Sequence, residues 1–248
     1  MGIIKTLNRK FLKIKDSTLF KKNLSLNDKK IIITGSNSGI GLSLIKGLSN
    51  SNQILAFVNK NSEEVEKLLV ENINFIKCDF SNLENINKHQ ELITAFNANI
   101  IINCVATFGS ESNKVENINL SEYQNVINTN VLSQFALIQN CLKSKSLDII
   151  INISSEMGSL SSNKNGGHYL YRTTKSFFNS ISKNLSIDLE DEQINVFCIH
   201  PGSVKTKLNS GGLVHPEVVA KKIINICVEN KNKFSGKFID VDKNILDW

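Results

Sequence analysis

The sequence predicts a single doubly wound α/β domain built on a parallel sheet of seven strands. Short apolar runs rich in β-branched residues recur along the chain, and a segment of helix length separates most runs from the next. Strands that are apolar on both faces and joined by helices are typical of a parallel sheet covered on both sides. Neither a Ser/Gly-rich linker nor an internal repeat interrupts residues 31–248, so nothing divides this region into two domains.

Seven apolar runs are predicted to be strands. They cover residues 30–35, 53–58, 73–78, 99–104, 148–154, 194–199 and 236–241. The segment GLSLIKGLSN after the first run and SEYQNVINTNVLSQFALIQNCLKS before the fifth are predicted to be helices. In such a sheet ligands bind beyond the carboxyl ends of the strands, so the residues that follow each strand are the candidate functional residues.

Composition and charge limit the classes of function. The chain has 248 residues and a hydrophobic content of 41%, which is enough for one domain with a sizeable core. The net charge of +6 is concentrated in residues 1–30, which hold nine basic and two acidic residues, so the remainder is close to −1. A nearly neutral main domain argues against nucleic-acid binding. No apolar run has the length of a membrane span and no signal peptide is recognisable, so we expect a cytoplasmic protein.

The cysteines and histidines do not show the spacing of a metal site. The five cysteines lie in or beside apolar runs and never approach CxxC spacing, which favours buried free thiols over disulfides or metal ligands. The four histidines are scattered, and we assign none of them to a metal. His168 is expected to lie at the entrance of the site. These residues are Cys78, Cys104, Cys141, Cys198, Cys227, His89, His168, His200 and His215.

Residues 1–28 are predicted to be a basic amphipathic extension that precedes the main domain of residues 29–248. Apolar residues at helical spacing alternate here with lysines and an arginine, a pattern that suits peripheral contact of residues 1–22 with an anionic membrane surface, such as the inner face of the cell membrane. The alternatives are that the extension packs on its own domain, pairs with a neighbouring subunit, or is disordered. The apolar residues are Ile3, Ile4, Leu7, Phe11 and Ile14.

A glycine-rich turn follows the first strand and opens the first helix. Glycines at this junction allow a tight turn and close approach of the backbone to a pyrophosphate, and the helix N-terminus presents free N–H groups. The position in the first strand-to-helix connection favours dinucleotide binding over a turn without a ligand. The predicted cofactor-binding residues are Gly35, Ser36, Asn37, Ser38, Gly39, Ile40 and Gly41.

The spacing TGxxxGIG at residues 34–41 resembles the short-chain dehydrogenase/reductase family, and further strand ends share that resemblance. It implies a Rossmann-type domain that binds a nicotinamide cofactor. Asn103 matches the first asparagine of the family's Asn-Asn-Ala-Gly motif and Ala106 is the smallest replacement for its glycine, whereas Cys104 and Val105 depart from the motif. The other contacts that the resemblance implies are Asp79 and Phe80 near the adenine, and Pro201, Gly202, Val204 and Thr206 near the nicotinamide.

The end of the second strand bears on the choice of cofactor. Asn59 and Lys60 stand where an acidic residue would bind the ribose 2′-hydroxyl of NAD, and carboxylates first appear at Glu63 and Glu64 in the following helix. Lys60 is placed to meet a 2′-phosphate, although an exposed lysine is also an ordinary surface charge. The sequence therefore favours NADP(H) over NAD(H).

The stretch GGHYLYRTTK contains two tyrosines, of which Tyr171 is predicted to be catalytic. Reduction of a carbonyl needs a proton donor, and a tyrosine with an ordinary pKa of about 10 needs a nearby ammonium to reach the working range. Tyr171 and Lys175 share a helix face at positions i and i+4, whereas Tyr169 has Thr173 at that spacing. In the family, Lys175 also binds the nicotinamide ribose, so Tyr171 and Lys175 are cofactor-binding predictions as well.

Two more residues match the family's catalytic set in its chain order. Ser155, after the fifth strand, matches the serine that orients the carbonyl; we prefer it to Ser154 because it lies further past the strand end. Asn130 matches the asparagine that in this family holds a water linking the lysine to solvent. The predicted catalytic residues are therefore Asn130, Ser155, Tyr171 and Lys175.

The segments SSEMGSLSSNKNGGHYLYRTTKSFFN, PGSVKT and SGKFIDVDKNILDW resemble the carbonyl reductases of the C-factor and sniffer type. This resemblance implies reduction of a small ketone or aldehyde, or the reverse reaction. Together with the preference at Lys60, we predict an oxidoreductase that transfers a hydride between NADP(H) and a carbonyl or alcohol substrate, with a homodimer or homotetramer as its predicted assembly. The alternatives are an NAD(H)-dependent alcohol dehydrogenase and a nucleotide-binding signalling protein without essential turnover. The short connection between Thr206 and Pro216 predicts an open site.

Overall fold

The computed structural model describes residues 26–60, 63–68, 71–109, 115–229 and 233–248. Residues 1–25, and with them nearly all of the predicted basic extension, lie outside this region. Contact of the extension with a membrane or a neighbouring subunit, the boundary at residue 28 and the homo-oligomer therefore stay predictions. Within the described part of the chain, no helix has the combination of length and apolarity that crossing a bilayer requires.

All seven predicted strands are confirmed, and they form one parallel sheet in the order β3-β2-β1-β4-β5-β6-β7. This arrangement confirms the doubly wound α/β fold expected from the alternation of apolar runs and helices. Most strands are shorter than predicted by one to three residues because ladder pairing ends where the chain turns away. The strands are β1 Lys30–Ile33, β2 Gln53–Val58, β3 Ile73–Lys77, β4 Ile100–Asn103, β5 Ile149–Ile153, β6 Asn195–His200 and β7 Phe238–Asp240.

Helices connect the strands and cover both faces of the sheet. The long helix predicted before β5 is interrupted by one turn of π-helix at Asn128–Leu132, with α5 before it and α6 after it. The helices are α1 Gly39–Leu48, α2 Glu63–Glu66, α3 Leu83–Asn87, α4 Gln90–Phe96, α5 Leu120–Ile127, α6 Ser133–Cys141, α7 Tyr169–Asp188 and α8 Pro216–Glu229, with short 3₁₀ turns at Val115–Asn117 and Glu156–Gly158.

The apolar strands divide their side chains between two cores, one on each face of the sheet. Ile31 and Ile33 of β1 pack in the core that contains Leu44 of α1. Ile32, between them, packs in the other core together with Phe178 of α7. Successive residues of a strand point to opposite faces, so burial on both faces explains why these runs are continuously apolar.

The sheet has its topological switch point at β1. Ile31 is paired with Ile54 of β2 on one side and with Ile100 of β4 on the other. The chain runs from β1 through β2 and β3 to one edge of the sheet, then crosses back to β4 and continues to the other edge. Connections that diverge in this way leave a crevice at the carboxyl ends of the strands. The five cysteines are free thiols, and four of them are buried while Cys104 is partly buried.

Candidate active site

A cavity of about 920 Å³ opens at the carboxyl ends of the strands. It brings together most of the residues predicted to bind cofactor or to act in catalysis. These residues come from the segments that follow six of the strands. The predicted residues that line it are Gly35, Asn37, Ser38, Gly39, Ile40, Gly41, Asn59, Asp79, Phe80, Ala106, Ser155, Tyr171, Lys175, Pro201, Gly202, Val204 and Thr206. Four predicted residues, Ser36, Lys60, Asn103 and Asn130, are not on its wall.

The glycine turn between β1 and α1 is packed too closely for side chains. A Cβ atom at Gly41 would lie 2.4 Å from the carbonyl oxygen of Gly35, and one at Gly35 would lie 2.9 Å from the backbone nitrogen of Val105. Ser38 precedes α1 but makes no side-chain capping bond, so the first N–H groups of the helix are available to a ligand. Free N–H groups and a positive dipole end beside a cavity fit the pyrophosphate of a dinucleotide.

Ser36 supports this turn from inside. Its Oγ donates to the carbonyl of Ile33 at 2.9 Å, and its N–H donates to the carbonyl of Phe57 at 3.0 Å. The residue is fully buried, so its hydroxyl faces the strands and not the cavity. Ser36 therefore ties the turn to β1 and β2.

Asn37 connects the glycine turn to the end of β2. Its Oδ1 accepts the N–H of Asn59 at 2.7 Å, and its Nδ2 donates to the carbonyl of Lys60. The backbone of Lys60 is thereby held beside the turn, while its side chain is exposed and lies off the cavity wall. Asp79 and Phe80 line the same part of the cavity after β3.

The structure separates the two tyrosines of α7. Tyr171 is 7% exposed and lines the cavity, whereas Tyr169 is 39% exposed and lies off its wall. Lys175 is buried with its Nζ 5.6 Å from the centre of the Tyr171 ring, and that Nζ donates to the carbonyl of Ile153 at 2.7 Å. The i, i+4 spacing therefore places Tyr171 and Lys175 at one site, next to the end of β5.

Burial sets the direction of the pKa shifts in this pair. It raises the pKa of Tyr171 to about 12, and a hydrogen bond with Ser155 opposes the shift. It lowers the pKa of Lys175 to about 8, and the neighbouring thiols of Cys198 and Cys104 oppose that shift. The direction for Tyr171 is opposite to our expectation from the sequence, because loss of hydration on burial outweighs the hydrogen bond with Ser155. Tyr171 therefore carries its proton at neutral pH.

Of the two serines after β5, Ser155 contacts the catalytic candidate Tyr171. Its Oγ also accepts the N–H of Met157 at 3.2 Å, which caps the 3₁₀ turn Glu156–Gly158. The hydroxyl of Ser154 instead donates to Oδ1 of Asn179 at 2.5 Å in a buried contact with α7. Alternation along the chain thus gives the two hydroxyls different partners, as expected for successive residues at a strand end.

Asn130 lies in the π turn and joins two elements of the site. Its Oδ1 accepts the N–H of Thr107 at 2.8 Å, and its Nδ2 donates to the Thr107 carbonyl at 2.9 Å and to Oγ1 of Thr174 at 3.0 Å. Thr107 follows β4 on the cavity wall, and Thr174 precedes Lys175 in α7. In these contacts the Asn130 side chain positions the loop and the helix.

Gln134 is a residue that the sequence analysis missed. Its Nε2 donates to the carbonyls of Asn130 at 2.7 Å, Val105 at 3.1 Å and Thr129 at 3.3 Å. A π turn shifts the helical hydrogen-bond pattern, and a side-chain amide can satisfy the carbonyls it frees. Nothing in the motif NTNVLSQF marks a π turn, so no sequence signal pointed to Gln134.

Asn103 faces the interior between the sheet and α7. Its Nδ2 donates to Oδ1 of Asn152 at 2.8 Å, and Nδ2 of Asn152 donates to Oγ of Ser182 at 2.7 Å. All three side chains are buried. Asn103 therefore belongs to a polar chain that links β4, β5 and α7, below the part of the cavity where Ala106 lies.

Beside Tyr171 the cavity wall carries aromatic and aliphatic side chains. The ring of Phe108 lies 4.1 Å, centre to centre, from the ring of Tyr171, and His168 lies 6.1 Å from Phe108. Met157 and Leu208 line the same cavity. Phe108, Met157 and Leu208 would present an apolar surface to a substrate, whereas His168, expected at the entrance, is not on the cavity wall. Phe108 was not predicted because it follows β4 outside the family's motif.

Comparison with known proteins places this geometry in context. The sequence profile described as short chain dehydrogenase matches residues 29–212. An uncharacterized oxidoreductase of Schizosaccharomyces pombe is 32% identical over 197 residues, which cover 74% of this chain and 76% of the relative.

Two solved structures share the fold over most of their length. The carbonyl reductase Sniffer of Drosophila melanogaster is 28% identical, with a TM-score of 0.82 over 90% of this chain and 100% of its own. The NADPH-bound carbonyl reductase from chicken fatty liver is 23% identical, with a TM-score of 0.80 over 90% of this chain and 100% of its own. The predicted resemblance to sniffer-type reductases is confirmed.

Proposed function

The chain belongs to the short-chain dehydrogenase/reductase family of NAD(P)-dependent oxidoreductases, and we propose that it interconverts a small carbonyl compound and its alcohol with NADP(H). The observation that carries this proposal is the buried Tyr171, which contacts Ser155 and lies beside Lys175 in one cavity with the glycine turn. A proton donor, a hydroxyl that can orient a carbonyl, and a dinucleotide turn are the parts that such a reaction needs.

The cavity fits a dinucleotide along its length. The uncapped N-terminus of α1 would hold the pyrophosphate, Asp79 and Phe80 would lie at the adenine, and Lys175 would contact the nicotinamide ribose. Pro201, Gly202, Val204 and Thr206 would adjoin the nicotinamide. When bound, this cofactor supplies or accepts the hydride, and the protein must supply or accept the proton.

Tyr171 would exchange that proton with the substrate oxygen. Burial raises the pKa of Tyr171 further above neutrality, so the phenol is protonated, which is the state required of a general acid in carbonyl reduction. The Ser155 hydroxyl would donate to the same oxygen and orient it. Lys175 lies one helical turn away on the side of the phenol that faces β5, and Asn130 fixes the loop and helix around it.

The preference for NADP(H) is supported by the residues at the end of β2. Asn59 and Lys60 place an amide and an ammonium at this strand end. Among the described residues, the next carboxylates in the sequence are those of α2, so no acidic side chain directly follows β2 to bind a ribose hydroxyl. The structural neighbour from chicken fatty liver contains NADPH. Fluorescence titration with NADPH and NADH in parallel tests this preference: we expect tighter NADPH binding, and equal or NADH-favoured affinity would contradict it.

The Tyr171→Phe variant tests the proposed chemistry, and Tyr169→Phe is its matched control. We expect Tyr171→Phe to lose on the order of 10²-fold or more of kcat/KM against a panel of aromatic and aliphatic aldehydes and ketones, because general acid catalysis contributes about that much. NADPH affinity should change little, and Tyr169→Phe should keep its activity. Full activity in Tyr171→Phe would reject the proposed acid. NADPH binding without turnover of any substrate by the natural chain would favour the nucleotide-binding signalling alternative.

A further inference from the structure

His200 is the last residue of β6, directly before Pro201 and Gly202, and its ring lies on the wall of the cavity. Its Nδ1 accepts the backbone N–H of Glu156 at 3.1 Å, and its Nε2 lies 3.9 Å from Oε2 of the same residue. An imidazole nitrogen accepts a hydrogen bond only when it carries no proton. The contact therefore requires neutral His200 with its proton on Nε2.

This contact holds the turn that carries Ser155. The Ser155 Oγ accepts the N–H of Met157, and the Gly158 N–H donates to the Ser155 carbonyl at 2.8 Å. The N–H of Glu156, which lies between these residues, donates instead to His200 on the neighbouring strand. The histidine thus ties the Ser155–Gly158 turn to β6, and the Ser155 hydroxyl contacts Tyr171 from that turn.

Charged groups from two elements face His200. Glu156 approaches it from the turn after β5, and Asp240 is paired with it in the ladder between β6 and β7. Burial places the pKa of His200 below its ordinary value, and these two carboxylates oppose that shift. Nδ1 is therefore free to accept at neutral pH. As the pH falls, Nδ1 becomes protonated and can no longer accept the N–H of Glu156, so the hydrogen bond would be lost.

We propose that His200 is a positioning residue for Ser155, and that its protonation releases the Ser155–Gly158 turn and lowers the rate of proton transfer through Tyr171. The kinetic part of this inference rests on the reductase function proposed above. The structural part concerns only the link between His200 and the Glu156 amide.

Two substitutions at His200 distinguish loss of the hydrogen-bond acceptor from loss of the titratable group. Asparagine places an amide oxygen near the position of Nδ1 and does not titrate, whereas leucine removes the acceptor. We expect His200→Leu to lower kcat by about tenfold, equivalent to about 1.4 kcal/mol, with little change in NADPH affinity. His200→Asn should restore most of that loss.

The pH profile of kcat, measured from about pH 5 to about pH 8, is the readout that a merely structural histidine would not change. The natural chain should lose activity on the acid side, and His200→Asn should lack this acid limb. Glu156→Gln removes a carboxylate that favours the imidazolium, so its acid limb should move to lower pH. An unchanged limb in His200→Asn, or equal losses in the asparagine and leucine variants, would overturn the proposal.

The NMR signal of the Glu156 amide gives a test that does not require turnover. We expect this signal to shift as the pH falls in the natural chain and to stay constant in His200→Asn. A pH-independent Glu156 amide in the natural chain would reject the proposed release of the turn on protonation, even if the enzyme is active. A titrating amide in a chain that reduces no carbonyl would support the link and reject the reductase function instead.

Discussion

The glycine turn and the cluster formed by Asn130, Gln134, Tyr171 and Lys175 adjoin the same cavity but are held in place by different means. At the turn, backbone packs on backbone, and a side chain at Gly41 would overlap the Gly35 carbonyl. At the cluster, buried polar side chains such as Asn130, Gln134 and Lys175 are tied to backbone carbonyls of other segments. The turn tolerates no added side-chain atoms, whereas the cluster depends on hydrogen bonds from buried side-chain donors, although the Oε1 of Gln134 is buried without a partner.

The substitution with the largest expected effect is Gly41→Ala, in the closely packed glycine turn. The added Cβ would lie 2.4 Å from the Gly35 oxygen, and overpacking of this kind costs about 3 kcal/mol, so NADPH affinity should fall on the order of 100-fold. Fluorescence titration and thermal unfolding would measure the change. Gly211→Ala is the control, because the nearest atom to its Cβ would be 4.0 Å away. Unchanged affinity in Gly41→Ala would show that the turn can expand.

In the cluster held by hydrogen bonds, Lys175→Met removes a buried ammonium. The folded chain releases this proton near pH 8, whereas the unfolded chain holds it up to the ordinary pKa near 10.5. Between these values the unfolded state binds more protons, so the natural chain gains stability relative to the variant as the pH rises, by about 3 kcal/mol. Urea unfolding of both proteins at several pH values tests this, and a flat or falling difference would contradict it.

The π turn provides a test with a smaller expected effect. Gln134→Met keeps the size of the side chain but removes the amide from three carbonyls, which should cost about 1 to 2 kcal/mol of unfolding free energy. Gln124→Met is the matched control, because Gln124 donates to Asn128 on the exposed side of the same helical segment. We expect less than about 0.5 kcal/mol for the control. Equal losses of unfolding free energy in the two variants would mean that the buried hydrogen bonds of Gln134 stabilise the fold no more than the exposed one of Gln124.

The smallest effect on stability should come from Lys60→Ala, at the rim of the turn. Its side chain is exposed, so unfolding free energy should change by less than about 0.5 kcal/mol. The ratio of NADPH to NADH affinity should fall by about three- to tenfold, because one ammonium contact with a phosphate is lost. Lys88→Ala, at another exposed lysine, serves as the control in the same titrations. An unchanged ratio would remove Lys60 from the cofactor site.

The sequence predicted the sheet well because its strands are buried on both faces. Residues 149–153 are all buried, and Asn152 is the only polar residue among them, so a parallel sheet between helices is the arrangement that accommodates such a run. The strand ends then identified where the cavity forms. Tyr171 was distinguished from Tyr169 because i, i+4 spacing is a local property of a helix.

The residues that were missed depend on contacts between distant segments. Gln134 reaches Val105 only after α6 packs beside the loop that follows β4, and His200 reaches Glu156 only across neighbouring strands. The pKa of Tyr171 was expected to fall because a lysine is near in sequence, but burial is set by the whole fold. Side-chain partners of this kind cannot be derived from spacing within one element.

The switch point at β1 also has a consequence for how the chain folds. The N–H of Lys30 donates to Oδ1 of Asn99 across 69 residues, and the crevice of the active site exists only once β1 has paired with β4. Pairings so distant in the chain slow folding relative to helical bundles, in which neighbouring segments meet first. Newly made chains should therefore acquire secondary structure early and the capacity to bind a nucleotide late, when the middle of the sheet closes.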